Sequence, residues 1–171
     1  LRSKPRSMAA KTAKRRAVIS WVLVVAWACF IFFMSAHTGS DLSSGDDLVS
    51  RIKLWLDGVQ VVLFGEGIDA VSSIAHFCEY LVFGALICNA FRCHIPVRTA
   101  LVAAVLVASL YGVTDEIHQI FVPGRFCDPA DWAVDTVGAA IGSTLVWLKA
   151  HSKVSAGTAE EGSSTQRKQD A

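Results

Sequence analysis

The chain has 171 residues, 53% of them apolar, with mean hydropathy +0.44 and a formal net charge of +1. That apolar excess, gathered into long runs, excludes an ordinary soluble domain. Net charge excludes little; its distribution along the chain is informative, and no nucleic acid is expected as a partner. The five cysteines, Cys29, Cys78, Cys88, Cys93 and Cys127, have no CxxC or Cys-His metal spacing. Four lie in or beside apolar runs, where Cys behaves as a small hydrophobe, so neither a disulfide framework nor a cysteine zinc site is expected.

In chain order, residues 1–16 hold seven Lys or Arg and no acid; Leu1 and Met8 are both candidate starts. Ala17 to Ala36 gives twenty uncharged, mostly apolar residues, enough to cross about 30 Å of hydrocarbon at about 1.5 Å per residue. This run exceeds the usual core of a cleaved signal, so a retained anchor is expected. The polar, acidic segment from His37 to Ser73 carries Leu48, Ile52, Trp55, Leu56, Val59, Val62 and Leu63 at helical spacing. Either an amphipathic helix lying in the interface or a small packed lid fits that pattern.

Ile74 to Phe91 is a second span, interrupted by His76 and Glu79, and Arg92 to Arg98 is a short basic loop. The third span, Thr99 to Val122, acquires Asp115, Glu116, His118 and Gln119 before it ends. Pro123-Gly124 predicts a tight turn, because Pro pre-sets φ at its first central position and Gly accepts positive φ at the next. The fourth span, 130–149, opens with Asp131 and Asp135; Asp128-Pro129 before it is a helix-start signature with Asp128 as N-cap. Residues 150–171 are rich in Ser, Gly, Glu, Gln and Lys and read as a disordered tail.

The expected fold is all-α: an integral membrane bundle of four transmembrane helices, near 17–36, 74–91, 99–122 and 130–149, with an extracytoplasmic amphipathic helix after the first. Its domains are a basic cytoplasmic segment (1–16), the membrane bundle (17–149) and a cytoplasmic tail (150–171). With the N-terminus inside, 13 of the 16 basic residues fall on the cytoplasmic side, as the positive-inside rule requires. Both termini are then cytoplasmic, in a multi-pass membrane protein.

That topology gathers the ionisable residues at the outer side. Asp115 lies seven residues before Val122 and Asp135 seven after Asp128, each about 10 Å inside the turn-proximal end. His76, Glu79 and Tyr80 share one helical face; Tyr111, Asp115 and His118 share another, with Gln119 beside them, while Glu116 points about 100° from Asp115. Gly138 and Gly142 form a GxxxG beneath the carboxylates, permitting close helix approach. Ionisable groups within membrane spans mark a functional site by default. The candidate catalytic residues are His76, Glu79, Asp115, Glu116 and Asp135. The candidate ligand-binding residues are Tyr80, Tyr111, His118, Gln119, Arg125 and Asp131. Trp21, Trp27, Trp132 and Trp147 read as helix-end anchors or core, and Asp131, at the third helical position, is also favoured there by the helix dipole.

The ordered set His76…Tyr80, Tyr111-Gly112…Asp115-Glu116…Gln119…Phe121-Val122-Pro123-Gly124-Arg125, Asp128…Asp131 and Gly138…Gly142 resembles the VanZ-like family of small bacterial membrane proteins. Ser35 and the serines after it are similar to the segment following that family's first helix. The resemblance covers roughly residues 20–148, with two departures: Asp135 stands where Asn is usual, and Ser72-Ser73 where Asp-Lys often precedes the His. It implies a membrane fold and an envelope role of the kind tied to low-level resistance to the glycopeptide teicoplanin, without implying a reaction.

Three functional readings follow. The first is a binding module whose outward polar pocket, with Arg125 as its fixed cation, engages an anionic lipid or lipid-linked wall-precursor headgroup or a glycopeptide. The second is an intramembrane hydrolase or transferase using His, Glu and Asp as acid and base or as ligands for a divalent metal; no metal or other cofactor is assigned, since no tight HExxH-type spacing occurs. The third is a structural or assembly subunit. The sequence carries no signal for an oligomeric state.

Overall fold

The computed structural model describes residues 4–36, 55, 58, 70–123 and 125–169. Among these the protein is all-α: α1 (Lys4–Ser35), α2 (Ala70–Phe91), α3 (Val97–Gln119) and α4 (Pro129–Gln169). The stretch expected to hold an amphipathic helix, 37–73, lies mostly outside the described residues. Among the described residues three segments are long and apolar enough to cross a membrane: Ala10–Ser35, Ser72–Phe91 and Val97–Gln119.

The helix ends follow local chemistry. α2 stops at Phe91, where the amides of Arg92, His94 and Ile95 fold back onto Cys88 and Phe91 carbonyls at 2.8–3.0 Å. Pro96, which lacks an amide to lose, precedes α3 with φ −55° and ψ 142°. After α3, the amides of Phe121 and Val122 bond back to His118 and Gln119, and the Arg125 amide reaches the Val122 carbonyl at 3.1 Å, closing the expected turn around Pro123. Asp128 caps α4 through its Oδ1, which accepts from the Ala130 amide at 2.8 Å.

Two helices run further than composition suggests. α1 starts at Lys4, so the basic segment is helical and continuous with the first span. α4 runs to Gln169 across the residues read as a disordered tail. Ala, Glu, Lys and Gln are good helix formers there, and an existing helix propagates at far lower cost than a new one nucleates.

α2 is the hub of the bundle. It packs most extensively on α4, then on α3 and α1, while α3 and α4 also pack together. The α2–α4 contact is a backbone-to-backbone seam. A Cβ at Gly84 would collide with the backbone of Ala139, one at Gly138 would sit 2.6 Å from the Phe77 carbonyl, and one at Gly142 would strike the Leu81 carbonyl. Ser143 Oγ donates to the Gly84 carbonyl at 3.1 Å across this seam. The expected close approach at Gly138 and Gly142 is therefore present, with Gly84 as its counterpart on α2.

α3 contributes a stripe of small buried residues, Ala100, Ala104, Ala108 and Gly112, at four-residue spacing. Val102, Leu106, Leu110, Val113 and Ile117 point outward. Small residues inside and large apolar ones outside is the membrane-protein arrangement, because lipid tails give no reward for burying Leu and close packing comes from small side chains. α1 shows the same outward face through Val18, Val22, Val25, Phe32 and Phe33.

Three tryptophans, Trp21, Trp27 and Trp132, act as interhelical fasteners. Trp27 Nε1 donates to the Glu79 carbonyl at 2.9 Å, holding α1 to α2. Trp132 Nε1 reaches the carbonyl and hydroxyl of Ser109 at 3.2 Å, holding α4 to α3. Trp21 Nε1 meets His94 Nε2 at 3.3 Å at the opposite end of the bundle from the acidic residues. All five cysteines are free thiols.

Candidate functional site

The small-residue stripe of α3 ends in polar residues that are equally buried. Beyond Gly112 come Asp115, Glu116 and Gln119, all 3% exposed or less. They meet the start of α2 at His76 and the start of α4 at Asp135, which is fully buried. The helices alternate in direction, so the end of α3 and the starts of α2 and α4 share one end of the bundle.

His76 and Asp135 form the centre, with Nδ1 and Oδ1 3.2 Å apart. Glu116 joins them: one ligand-type atom from each of His76, Glu116 and Asp135 lies within 4.8 Å of the other two. Glu116 is held by its neighbours. Its Oε2 accepts the Asp128 backbone amide at 2.7 Å, and its Oε1 accepts from Gln119 Nε2 at 3.5 Å. Asp135 Oδ2 is buried without a hydrogen-bond partner and faces Gly112, where a Cβ would lie 3.4 Å from it.

Asp115 takes a different side of α3. It interacts with the Ser35 hydroxyl at the end of α1, but neither carboxylate oxygen has a well-formed hydrogen bond. Asp115 and Glu116, about 100° apart on the helix, are both buried because this end of α3 is covered on two sides. α1 lies over one side, and the chain leading into α4 folds Asp128 back over the other. Sequence spacing alone leaves Glu116 on a separate face; the returning turn brings it in.

The remaining candidates divide. Arg125 is half-buried, with Nη1 3.4 Å from Ser72 Oγ and within electrostatic range of Glu79 and Asp115. Asp131 Oδ1 accepts from Ser73 Oγ at 3.0 Å. Glu79 is half-buried beside His76, Asp115 and Asp135 but does not join the triad. Tyr80 is fully buried with its hydroxyl unpartnered, and its ring contacts the position above Gly112.

Two candidates are taken up by packing. Tyr111 Oη donates to the Ala28 carbonyl at 2.7 Å, fastening α3 to α1, so its hydroxyl proton is committed to a helix contact. His118 stacks on Phe32 of α1, ring centroids 4.3 Å apart, with its Nε2 buried and without a hydrogen-bond partner.

Sequence reading did not assign roles to Ser35, Ser72 and Ser73. The two adjacent serines at the start of α2 partner Arg125 and Asp131, and Ser35 faces Asp115. For Ser72 and Ser73 the signal was position, since both lie within one turn of His76 at the start of a span; the end of α1 around Ser35 carries no charge and gave no such signal. Ser72-Ser73, read as a departure from the family pattern, thus supplies the hydroxyls that tie the start of α2 to Arg125 and to α4.

As chemistry, the arrangement offers one imidazole and several carboxylates in a water-poor setting, with a guanidinium at its rim. Such a donor set can bind a cation, exchange protons or orient a polar headgroup. No curated protein and no solved structure shows significant similarity to the chain. The sequence model of the VanZ/LLP1 family matches residues 20–150, which include every residue of this cluster. With that match covering most of its length, this integral membrane chain belongs to the VanZ/LLP1 family.

Proposed function

We propose that the protein acts at the outer face of the bacterial cytoplasmic membrane, binding the phosphate-bearing headgroup of a lipid or lipid-linked wall precursor. Expression then lowers susceptibility to a glycopeptide such as teicoplanin. The family's tie to envelope chemistry and antibiotic resistance supports the setting. The observation that carries the reading is the convergence of three helix ends on one buried polar cluster, with the Arg125 guanidinium half-exposed at its edge. A planar guanidinium fork suits phosphate or carboxylate oxygens, and a low-dielectric surround strengthens that contact.

Orientation is part of the proposal. Both termini face the cytoplasm, following the 13-of-16 bias in Lys and Arg, and the cluster faces outward. α4 is the fourth span. Its average hydropathy is lowered by Asp131, Asp135, Gly138, Gly142 and Ser143, which lie on its packed side, while Val137, Ile141, Leu145 and Leu148 form an apolar outward stripe suited to lipid.

The test is expression of wild type, Asp115→Asn and Arg125→Lys at matched membrane abundance, followed by teicoplanin susceptibility. Wild type lowers susceptibility and both variants lose the effect, because Asn removes the charge of Asp115 and Lys cannot reproduce the bidentate fork. A protective wild type with two equally protective variants would remove the polar cluster from the function.

A further inference from the structure

The polar cluster contains a more specific arrangement than a headgroup pocket requires. We propose that His76, Glu116 and Asp135 hold one divalent cation of the zinc or manganese class, clipped between α2, α3 and α4.

The three ligand atoms already lie within 4.8 Å of one another. In a tetrahedral site with metal–ligand distances of about 2.0–2.2 Å the donors stand about 3.3–3.6 Å apart. His76 Nδ1 and Asp135 Oδ1 already meet at 3.2 Å, so side-chain shifts of at most about 1.5 Å bring the three donors to coordination distance. One imidazole and two carboxylates suit zinc and manganese; magnesium and calcium prefer oxygen alone.

Two features separate this from a simple His–Asp pair. The first is a buried orphan. Asp135 Oδ1 faces His76, but Oδ2 is buried with no hydrogen-bond partner. A carboxylate oxygen left in that state is costly, and a cation at the triad satisfies it. The second is the support behind Glu116. The Asp128 amide and the Gln119 side chain fix its carboxylate from outside the triad, as outer hydrogen bonds orient metal ligands. A dication also balances the two carboxylates of the triad, with neutral His76 as the third donor.

The structural alternative is an ion pair between His76 and Asp135 with Glu116 serving only to anchor the turn. It predicts no stoichiometric cation. Because the proposed ligands come from three helices, loading must also stabilise the bundle, by an amount that grows with free metal concentration above the dissociation constant.

The experiment uses the full chain purified in detergent, stripped with chelator, reloaded with Zn²⁺ or Mn²⁺ and freed of excess. Wild type should retain about one equivalent by mass spectrometry, as a defined three-ligand site does. Its thermal midpoint should rise with added metal. His76→Gln, Glu116→Gln and Asp135→Asn should lose both effects. His94→Gln, at the far end of the bundle, should keep them and so exclude adventitious histidine binding. Electron spin-echo spectra of the Mn²⁺-loaded wild type should show coupling to a single imidazole nitrogen, a readout needing no variant and blind to thiol-bound zinc. Wild type without stoichiometric Zn²⁺ or Mn²⁺ would overturn the site, as would bound Mn²⁺ lacking imidazole coupling or a folded Glu116→Gln that still holds one equivalent. No headgroup or drug enters these measurements, so their failure leaves the headgroup reading standing, and the failure of that reading leaves the cation site standing.

Discussion

His76 on α2 and Asp135 on α4 face each other at 3.2 Å, fifty-nine residues apart in sequence, with both side chains buried. This polar contact lies at the site end of the seam on which Gly84, Gly138 and Gly142 let the two backbones meet. Packing and site are therefore one structural unit: the glycines set the helix separation that places the His within reach of the Asp.

The pair should be energetically coupled. His76→Gln and Asp135→Asn each lower thermal stability, and the double variant loses less than the sum, with a coupling of about 0.5–3 kcal/mol. A thermal-unfolding cycle in detergent, followed by size-exclusion chromatography, reads this directly. Additive losses would mean that the two side chains do not interact in solution.

The seam makes a graded prediction for its glycines. Gly142→Ala puts a methyl group against the Leu81 carbonyl, where backbone must move, and should cost about 1–3 kcal/mol. At Gly112→Ala the nearest atoms belong to the side chains of Trp132, Asp135 and Tyr80, at 3.3–3.5 Å. There the gain in helix propensity, about 1 kcal/mol, offsets the crowding, so its stability should stay near wild type. Melting points of the two variants, measured side by side, check the ranking.

Tyr111→Phe removes the hydroxyl that fastens α3 to the Ala28 carbonyl of α1. The expected loss is about 0.5–1.5 kcal/mol of stability, with teicoplanin protection per molecule unchanged. Loss of protection at equal abundance and unchanged melting would instead assign the hydroxyl to ligand binding.

Native cysteines report the proposed orientation. Cys127 lies in the exposed α3–α4 connection and Cys93 in the exposed α2–α3 connection. In single-cysteine variants of intact cells, an impermeant maleimide should label Cys127 freely and Cys93 only after permeabilisation. The opposite pattern would put the cluster on the cytoplasmic side and end the outer-leaflet proposal.

Much of this protein was legible in its sequence because the membrane imposes simple one-dimensional rules. Length and apolar content marked three helices that are, among the described residues, long and apolar enough to span, since each backbone polar group in lipid must be satisfied within its own helix. Asp128-Pro129 marked the start of α4 through local capping chemistry. Gly138 and Gly142, four residues apart, marked a packed face without naming its partner.

Partnership was decided only by the tertiary structure. Helical spacing placed Glu116 and Asp115 on different faces, but it could not say that both faces are covered. That follows from α1 lying beside Asp115 and from the return of Asp128 onto Glu116. Tyr111 and His118 shared a face with Asp115 by spacing, yet α1 claims both, through the Ala28 carbonyl and the Phe32 ring. Ser72 and Ser73 stood out in sequence only as a departure from the family pattern; their partners, Arg125 and Asp131, are set by the tertiary structure. Periodicity specifies direction around a single helix axis. Which neighbour waits in that direction depends on how the helices cross, and the Gly84–Ala139 contact sets that crossing where α2 meets α4.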